Sequence, residues 1–321
     1  MANDQAHDTR TTVAEDRVAA AVSLNVAGVA GSSGSGPGAP GVLPAMEVAN
    51  YFTDGFESAD LNRQRPGGGD FWVANQYGSV VTQTQGTTPG QPTVVYNGSA
   101  VNIGVSDSKD WTATEGDYCL RVRYNAGQSD NATQHWKIQE ADAMPEIYMG
   151  FKLRVPVNFK KSGSNNKLIV LWMDGRGNRG NGSTTSMEFR GTDDANWYVK
   201  VGEGDQVLGG DQGYAPWISY PEDQGRWMTI VFYSKAESSP GASDGVVKAW
   251  RAWEGDSEFE FTHNITGQPI KLPDNPSDPQ GFCECEMLGY PNGAYAEDTE
   301  FLMDDVRISS TPLVPAGTEG L

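Results

Sequence analysis

Two short segments carry polar side chains at alternate positions, where they would share one face of a β-hairpin. Residues 184–190 (TTSMEFR) alternate between apolar and polar side chains, and residues 196–201 (NWYVKV) do the same. Because successive side chains of a strand point to opposite faces, Met187 and Phe189 are predicted to face a core. The polar set on the other face is Ser186, Glu188, Arg190, Tyr198 and Lys200. Such hydroxyl, carboxylate and cationic groups can orient the hydroxyls of a sugar.

Aromatic residues close to these segments favour a carbohydrate ligand, because the apolar faces of sugar rings stack on aromatic side chains. Alternation places Trp172 and Tyr148 on the polar side of their own segments. We therefore add both to the predicted glycan-binding set. The alternative for each aromatic residue is a place in the core or in an interface.

Segments with the same two-residue period recur along the chain, and turn residues separate them. They are residues 118–124, 146–156, 166–174, 184–190, 196–201, 226–235, 245–253 and 300–309. In the second segment the predicted core residues are Ile147, Met149, Phe151, Leu153 and Val155. Strands without crossover helices pair antiparallel. Residues 47–310 are therefore predicted to form one all-β domain, a two-sheet antiparallel sandwich of the jelly-roll type.

The charge balance excludes several kinds of partner. The 321 residues include 42 Asp and Glu against 23 Lys and Arg, which gives a formal net charge of −19. Such a chain has no means of displacing counterions from nucleic acid, and binding to an anionic membrane surface is disfavoured for the same reason. No run of 18 apolar residues is present, so no membrane-spanning helix is predicted.

The three cysteines, Cys119, Cys283 and Cys285, are too few for a disulfide framework and have no zinc-site spacing. Cys283 and Cys285 would lie on the same side of a strand. Two alternatives remain at this point: either Cys283 or Cys285 pairs with Cys119, or all three cysteines are buried thiols.

Residues 1–46 differ in composition from the rest of the chain. Acidic residues precede the mildly apolar residues 18–30, which disfavours a secretory signal. Thr12 and Glu15 have capping-box spacing, and the Gly/Ser/Pro-rich residues 31–43 are typical of a flexible linker. We interpret residues 1–46 as an arm that docks on neighbouring subunits or capsid proteins, and residues 311–321 as a C-terminal tail.

The order of the segments resembles the concanavalin A-like lectin/glucanase superfamily, particularly its polysaccharide-lyase-like jelly rolls. FTDGFES (52–58) would open the domain and FLMDDVRIS (301–309) would close it, with GDYCLRVRY (116–124) between them. The resemblance implies a concave sheet that holds a glycan chain. It also implies a structural calcium ion shared by Glu57 and Asp304, for which the alternative is ordinary turn carboxylates and a salt bridge at a strand edge.

Within this family the lyase pattern is matched only in part. Lys167, Arg190, Tyr198 and Lys200 would be the catalytic candidates. Ser186 and Lys200 stand where those lyases have an Arg and a second Tyr, so the catalytic pair is incomplete. Glycoside hydrolysis requires two carboxylates close together, and residues 184–190 offer only Glu188. Residues 283–286 (CECE) offer two, but their Gly/Pro/Asp-rich surroundings favour a loop or a short edge strand. His135 could face the groove.

The preferred interpretation is a non-catalytic, lectin-like decoration protein of a viral (phage) particle or a similar assembly. Its arm would dock on neighbours, its sandwich would face outward, and a polysaccharide is the candidate ligand of the sandwich. It would be located on a virion surface or outside the cell. Two alternatives are kept. One is a polysaccharide lyase acting on alginate- or glucuronan-type polymers, or a glycoside hydrolase. The other is a secreted filament or matrix subunit.

Overall fold

The computed structural model describes residues 43–61, 63–69, 71–74, 93–96, 101–102, 107–108, 111–127, 134–160, 166–173, 182–190, 195–201, 215–289 and 291–318. For residues 73–74, 93–96, 101–102, 107–108, 134–135, 190, 195–201 and 215 the description covers the backbone only. This part of the chain contains β-strands and one 3-10 turn (Glu140–Asp142), and no α-helix. It has no helix long and apolar enough to cross a bilayer.

The strands in chain order are β1 (Phe52–Asp54), β2 (Trp72–Ala74), β3 (Thr93–Tyr96), β4 (Val101–Asn102), β5 (Asp107–Ser108), β6 (Tyr118–Tyr124), β7 (Gln134–Lys137), β8 (Glu146–Arg154), β9 (Asn166–Trp172), β10 (Thr184–Arg190), β11 (Ala195–Val201), β12 (Ala215–Ile218), β13 (Trp227–Lys235), β14 (Gly245–Trp253), β15 (Glu260–Gln268), β16 (Glu284–Met287) and β17 (Thr299–Ser309). All eight segments predicted from the two-residue period are strands.

Two large antiparallel sheets form the sandwich. The eight-stranded sheet has the order β15-β14-β13-β8-β17-β6-β3, and β1 pairs with β17. The seven-stranded sheet has the order β12-β11-β10-β9-β16-β7-β2. β10 and β11 are neighbours in it, as predicted for a hairpin. The all-β, two-sheet prediction is therefore confirmed.

The core lies between the inner faces of the two sheets. The five residues of β8 and its continuation that were predicted to face the core are all buried there. Met187 and Phe189 of β10 join the same cluster from the other sheet. Burying one such side chain contributes about 1.5–3 kcal/mol, so the two-residue period determines which face of each strand turns inward.

The outer face of the eight-stranded sheet is covered by segments close to the two ends of the domain. Met46 and Leu313 pack on Tyr148 and Tyr233 there, and the backbone N–H of Glu47 donates to the carbonyl of Leu313 (3.1 Å). The part of this face around Tyr148 and Tyr233 is therefore covered by the chain itself. The outer face of the seven-stranded sheet remains the candidate for a groove.

The three cysteines are buried free thiols. Cys283 and Cys285 face the core between the sheets, whereas Cys119 packs with Trp111 and Trp227 on the outer face of the eight-stranded sheet. Since a sheet separates the two positions, the alternative in which Cys119 pairs with either of the others is wrong. Burial raises the pKa of the Cys119 and Cys285 thiols well above the usual value.

We expect a maleimide reagent to label none of the three thiols in the native protein at neutral pH. A buried, protonated thiol is a poor nucleophile. After denaturation without reductant, mass spectrometry should show three additions. A native chain that takes up label, or a denatured chain that takes up only one, would contradict the buried free thiols.

Candidate functional site

The register of four strands places a set of polar residues on the outer face of the seven-stranded sheet. In the centre of this face β16 and β10 flank β9, and β11 follows β10. Cα partners in adjacent strands form three rows across the face. These rows are Glu284–Trp172–Thr184, Glu286–Val170–Ser186–Lys200 and Lys167–Glu188–Tyr198. We call these ten residues the groove face.

Polar side chains of the groove face are buried although they point away from the core. Ser186 is 1% exposed and Glu188 is 2% exposed. The hydroxyl of Ser186 donates to Oε1 of Glu188 over 3.4 Å. A flat, solvated sheet face would leave such side chains open to water, whereas these two side chains are shielded from it.

Glu286 is the most unusual member of the groove face. Its side chain is 0% exposed, and neither carboxylate oxygen has a hydrogen-bond partner among the described residues. Cys285 and Met287 on either side of it face the core, so alternation turns Glu286 to the outer face. Buried polar groups in proteins are almost always hydrogen-bonded. Glu286 is therefore the candidate on this face for a contact with a bound ligand.

Sequence reasoning missed this residue because it interpreted residues 283–286 as a loop or an edge strand. That interpretation is wrong. β16 lies inside the sheet, paired with β9 on one side and β7 on the other. The available signal was the alternation of the two buried cysteines with Glu284 and Glu286, which is typical of a strand with one face on a core.

The segment after β16 lies directly against the Glu286 carboxyl. A Cβ atom at Gly289 would lie 2.4 Å from Oε1 of Glu286 and 2.9 Å from Cβ of Lys167. The hydroxyl of Tyr124 lies 2.7 Å from the carbonyl oxygen of Leu288 and 3.0 Å from that of Gly289. Burial raises the pKa of Tyr124 well above its usual value, so the phenol stays a donor. Tyr124 therefore fixes the backbone that covers Glu286.

The predicted glycan-binding residues are brought together in part. Trp172, Ser186 and Glu188 share the groove face, as does Lys167 from the catalytic set. The backbones of Tyr198 and Lys200 lie opposite Glu188 and Ser186, and that of Arg190 lies opposite Asn196. The side chains of Arg190, Tyr198 and Lys200 are outside the described residues.

Tyr148 is not brought to the groove face. Its strand, β8, belongs to the eight-stranded sheet, and its ring lies 4.5 Å from that of Tyr233 under the terminal segments. Alternation predicts the side of a strand on which a residue lies, but not the sheet to which the strand belongs. This is why Tyr148 was grouped with residues of the opposite sheet.

Two of the three histidines lie in described strands. His135 of β7 is the Cα partner of Glu286, and its side chain is outside the described residues. His263 lies within β15, and the centroid of its buried ring is 6.4 Å from that of the Trp217 ring. Burial lowers the pKa of His263 to about 4, so this ring is neutral at neutral pH.

The charge of this surface differs from that of the whole chain. In its described strands, the outer side of the seven-stranded sheet has four cationic positions, Lys137, Lys167, Arg190 and Lys200, against three acidic positions, Glu188, Glu284 and Glu286. The chain as a whole carries −19. These strand positions therefore do not share the acidic excess of the whole chain.

The two predicted calcium ligands hold one backbone segment, Thr114–Tyr118. Asp304 accepts from the backbone N–H and the hydroxyl of Thr114 (2.8 and 2.7 Å) and from the N–H of Glu115 (3.1 Å). Glu57 accepts from the N–H groups of Asp117 and Tyr118 (3.0 and 2.9 Å). Such donors repel a cation. No cluster of three or more His, Cys, Asp or Glu side chains among the described residues could hold a metal ion. These surroundings do not fit a calcium cage, and calcium stays a prediction.

No protein-family model and no curated protein matches the sequence. Solved structures with a similar fold include the alginate lyase Aly36B, with 13% identity, a TM-score of 0.47, and coverage of 71% of this chain and 99% of that one. The marine PL-14 alginate lyase from Aplysia kurodai is 14% identical with a TM-score of 0.46, and the match covers 64% of this chain and 86% of that one. A GH131 β-glucanase catalytic domain from Podospora anserina is 14% identical with a TM-score of 0.42, and the match covers 84% of this chain and 98% of that one. Two of these neighbours are alginate lyases and one is the catalytic domain of a β-glucanase.

Proposed function

We propose that the protein is a polysaccharide-cleaving enzyme that holds a uronate-containing polymer along the groove face and cuts it by β-elimination. The observation that carries the proposal is the buried, polar character of this face, with Glu286 unpartnered at its centre. A protein that only displays a surface does not need an unpaired buried carboxylate, whereas active sites retain such groups at a cost in stability.

Electrostatics favours an anionic polymer as the substrate. A strongly acidic chain repels polyanions overall, so a face whose described strands carry as many cationic as acidic positions, or more, is a favourable place for such a polymer to approach. Lys167 lies on this face beside Glu188, and the sequence places Arg190 and Lys200 on the same side. These cations would neutralise the uronate carboxylates.

Elimination then requires a base that removes the C5 proton and an acid that protonates the leaving glycosidic oxygen as the C4–O bond breaks. Tyr198 and Lys200 are the candidates for these two steps, since their backbones lie next to Glu188 and Ser186. Trp172 and Ser186 would bind the sugar rings by stacking and by hydrogen bonding.

Hydrolysis is the second candidate, and one observation favours it. Glu284 and Glu286 lie two residues apart on the same face of β16, which separates their Cα atoms by about 6–7 Å. That spacing allows two carboxyl groups to flank one glycosidic bond. A neutral glycan would then be the substrate.

A particle-associated, non-catalytic role stays a prediction. It depends on the docking of residues 1–46 to neighbouring subunits, and residues 1–42 lie outside the described residues. The outward display of the sandwich, the location on a virion or outside a cell, and the filament alternative depend on the same segment. An enzyme carried on such a particle would combine the two roles.

The test is incubation of the purified chain with alginate, glucuronan and a neutral β-glucan. We expect the uronate polymers to give oligosaccharides with unsaturated ends, seen as a rise in ultraviolet absorbance and as a loss of one water relative to hydrolysis products by mass spectrometry. Saturated products from the glucan would favour hydrolysis instead. Absence of cleavage for every polymer would overturn the enzyme proposal.

A further inference from the structure

The state of Glu286 suggests how the site selects its ligand. We propose that Glu286 is a specificity-determining residue that accepts hydrogen bonds from free hydroxyl groups of a bound sugar, so that polysaccharide acylated at those hydroxyls is rejected. The inference rests on the proposed function to the extent that the groove face must bind polysaccharide. It does not depend on whether cleavage proceeds by elimination or hydrolysis.

A buried carboxylate without a partner is strongly unfavourable, because it has lost its hydration and gained nothing in return. The other buried carboxylates show the usual solution. Glu300, 2% exposed, has Arg123 at 3.4 Å, and Asp54 accepts from Trp72 at 2.7 Å. Glu286 differs from these carboxylates in having both oxygens unpaired among the described residues.

The hydrogen-bond donors that Glu286 lacks have to come from a ligand. The carboxylate can be satisfied by a cation or by neutral hydroxyl groups. Lys167 already lies close by, since a single Cβ at Gly289 would contact both its Cβ and Oε1 of Glu286. A further positive charge on the ligand would meet the cationic positions Lys167, Arg190 and Lys200 of this face. Neutral hydroxyl donors face no such repulsion, and every unmodified sugar ring supplies them.

Steric constraints act on the same carboxyl group. Gly289 leaves no room for even a methyl group beside Glu286, and Tyr124 holds the carbonyls of Leu288 and Gly289 in place. The backbone on this side of the carboxyl group is therefore fixed. An acetyl ester on the sugar would remove the donor hydroxyl and add bulk where the protein backbone is not free to move away. Sites that hydrogen-bond a substrate hydroxyl discriminate strongly against analogues that lack it, because the buried group is then left unpaired.

The test uses one polysaccharide in two forms, native and chemically O-acetylated, with binding followed by affinity electrophoresis and cleavage followed by product release. We expect the wild-type chain to prefer the native form by about 100-fold or more. Glu286→Ala, which removes the acceptor and opens space, should reduce this preference at least tenfold. Equal binding of both forms by the wild-type chain would overturn the inference.

A stability measurement separates this role from a structural one. If Glu286 awaits a ligand, Glu286→Gln replaces a buried carboxyl group that has no hydrogen-bond partner among the described residues by a neutral amide of the same size, and it should raise Tm in the absence of polysaccharide by about 2–4 °C. The matched control is Glu300→Gln, which weakens the contact with Arg123 and should lower Tm. A fall in Tm for Glu286→Gln, or no change because a buried water satisfies it, would contradict the proposal.

The two proposals fail in different ways. A chain that binds native polysaccharide in preference to the acetylated form but cleaves neither would overturn the proposed enzymatic function and leave the role of Glu286 intact. A chain that cleaves both forms equally would support the enzymatic function and overturn the role of Glu286. A chain that binds no polysaccharide would overturn both.

Discussion

We expect Tyr198→Phe to lower kcat for polysaccharide cleavage by about 10²–10⁴-fold, the usual contribution of one positioned proton-transfer group. Tyr198 is the Cα partner of Glu188 in the β10–β11 hairpin, inside the groove face. The phenylalanine keeps the aromatic ring and loses only the hydroxyl. Sugar stacking should therefore persist, and KM should change little while kcat falls. Initial rates across a range of substrate concentrations measure both constants.

Tyr148→Phe is the matched control, because it removes the same hydroxyl from the outer face of the opposite sheet. We expect this variant to keep full activity. If Tyr198→Phe also keeps full activity, Tyr198 is not the proton-transfer group. The carboxylate pair Glu284 and Glu286 would then be the next candidates, and Glu284→Gln and Glu286→Gln would decide between them.

The second large effect is expected on stability. Replacing Asp304 by Ala should lower the free energy of unfolding by about 3 kcal/mol or more, because four donors lose their acceptor. These donors are the N–H and hydroxyl of Thr114 and the N–H groups of Glu115 and Asp305, all within 2.7–3.1 Å. Urea denaturation followed by tryptophan fluorescence measures the loss. Glu57→Ala, at a more exposed carboxylate that accepts from two N–H groups, should cost less.

Asp304 should also make stability depend on pH. Burial raises its pKa to about 6, against the opposing effect of the hydrogen bonds it accepts. A raised pKa means that the folded chain binds this proton more tightly than the unfolded chain. The proton bound to Asp304 therefore stabilises the folded chain fully below about pH 4, and this stabilisation is lost as pH rises through about 6. It amounts to about 3 kcal/mol. The stability difference between wild type and Asp304→Asn should shrink by this amount from pH 4 to pH 7.

The calcium prediction is tested by measuring Tm with and without a chelator. If hydrogen bonds alone satisfy Asp304 and Glu57, a chelator should leave Tm unchanged at neutral pH. A chelator-induced fall in Tm that calcium reverses, and that Asp304→Asn abolishes, would show that these carboxylates bind the ion.

Much of the architecture follows from local sequence pattern. The two-residue period placed the eight main strands and predicted that Met187 and Phe189 face the core and that β10 and β11 form a hairpin. Alternation is a property of the strand backbone itself, so it can be read without knowing what lies next to the strand. For the same reason the polar set around Ser186 and Glu188 was recognisable in advance.

Sheet membership and strand order were decided only by the tertiary structure. They depend on pairings between residues far apart in the chain, which no local period encodes. Tyr148 and Trp172 have the same pattern around them but lie on opposite sheets, and Cys119 is separated from Cys285 by the eight-stranded sheet. The interior position of β16 likewise comes from its pairing with β7 and β9. That pairing buries Glu286 without a described partner, and burial is a consequence of long-range packing that composition and spacing do not contain.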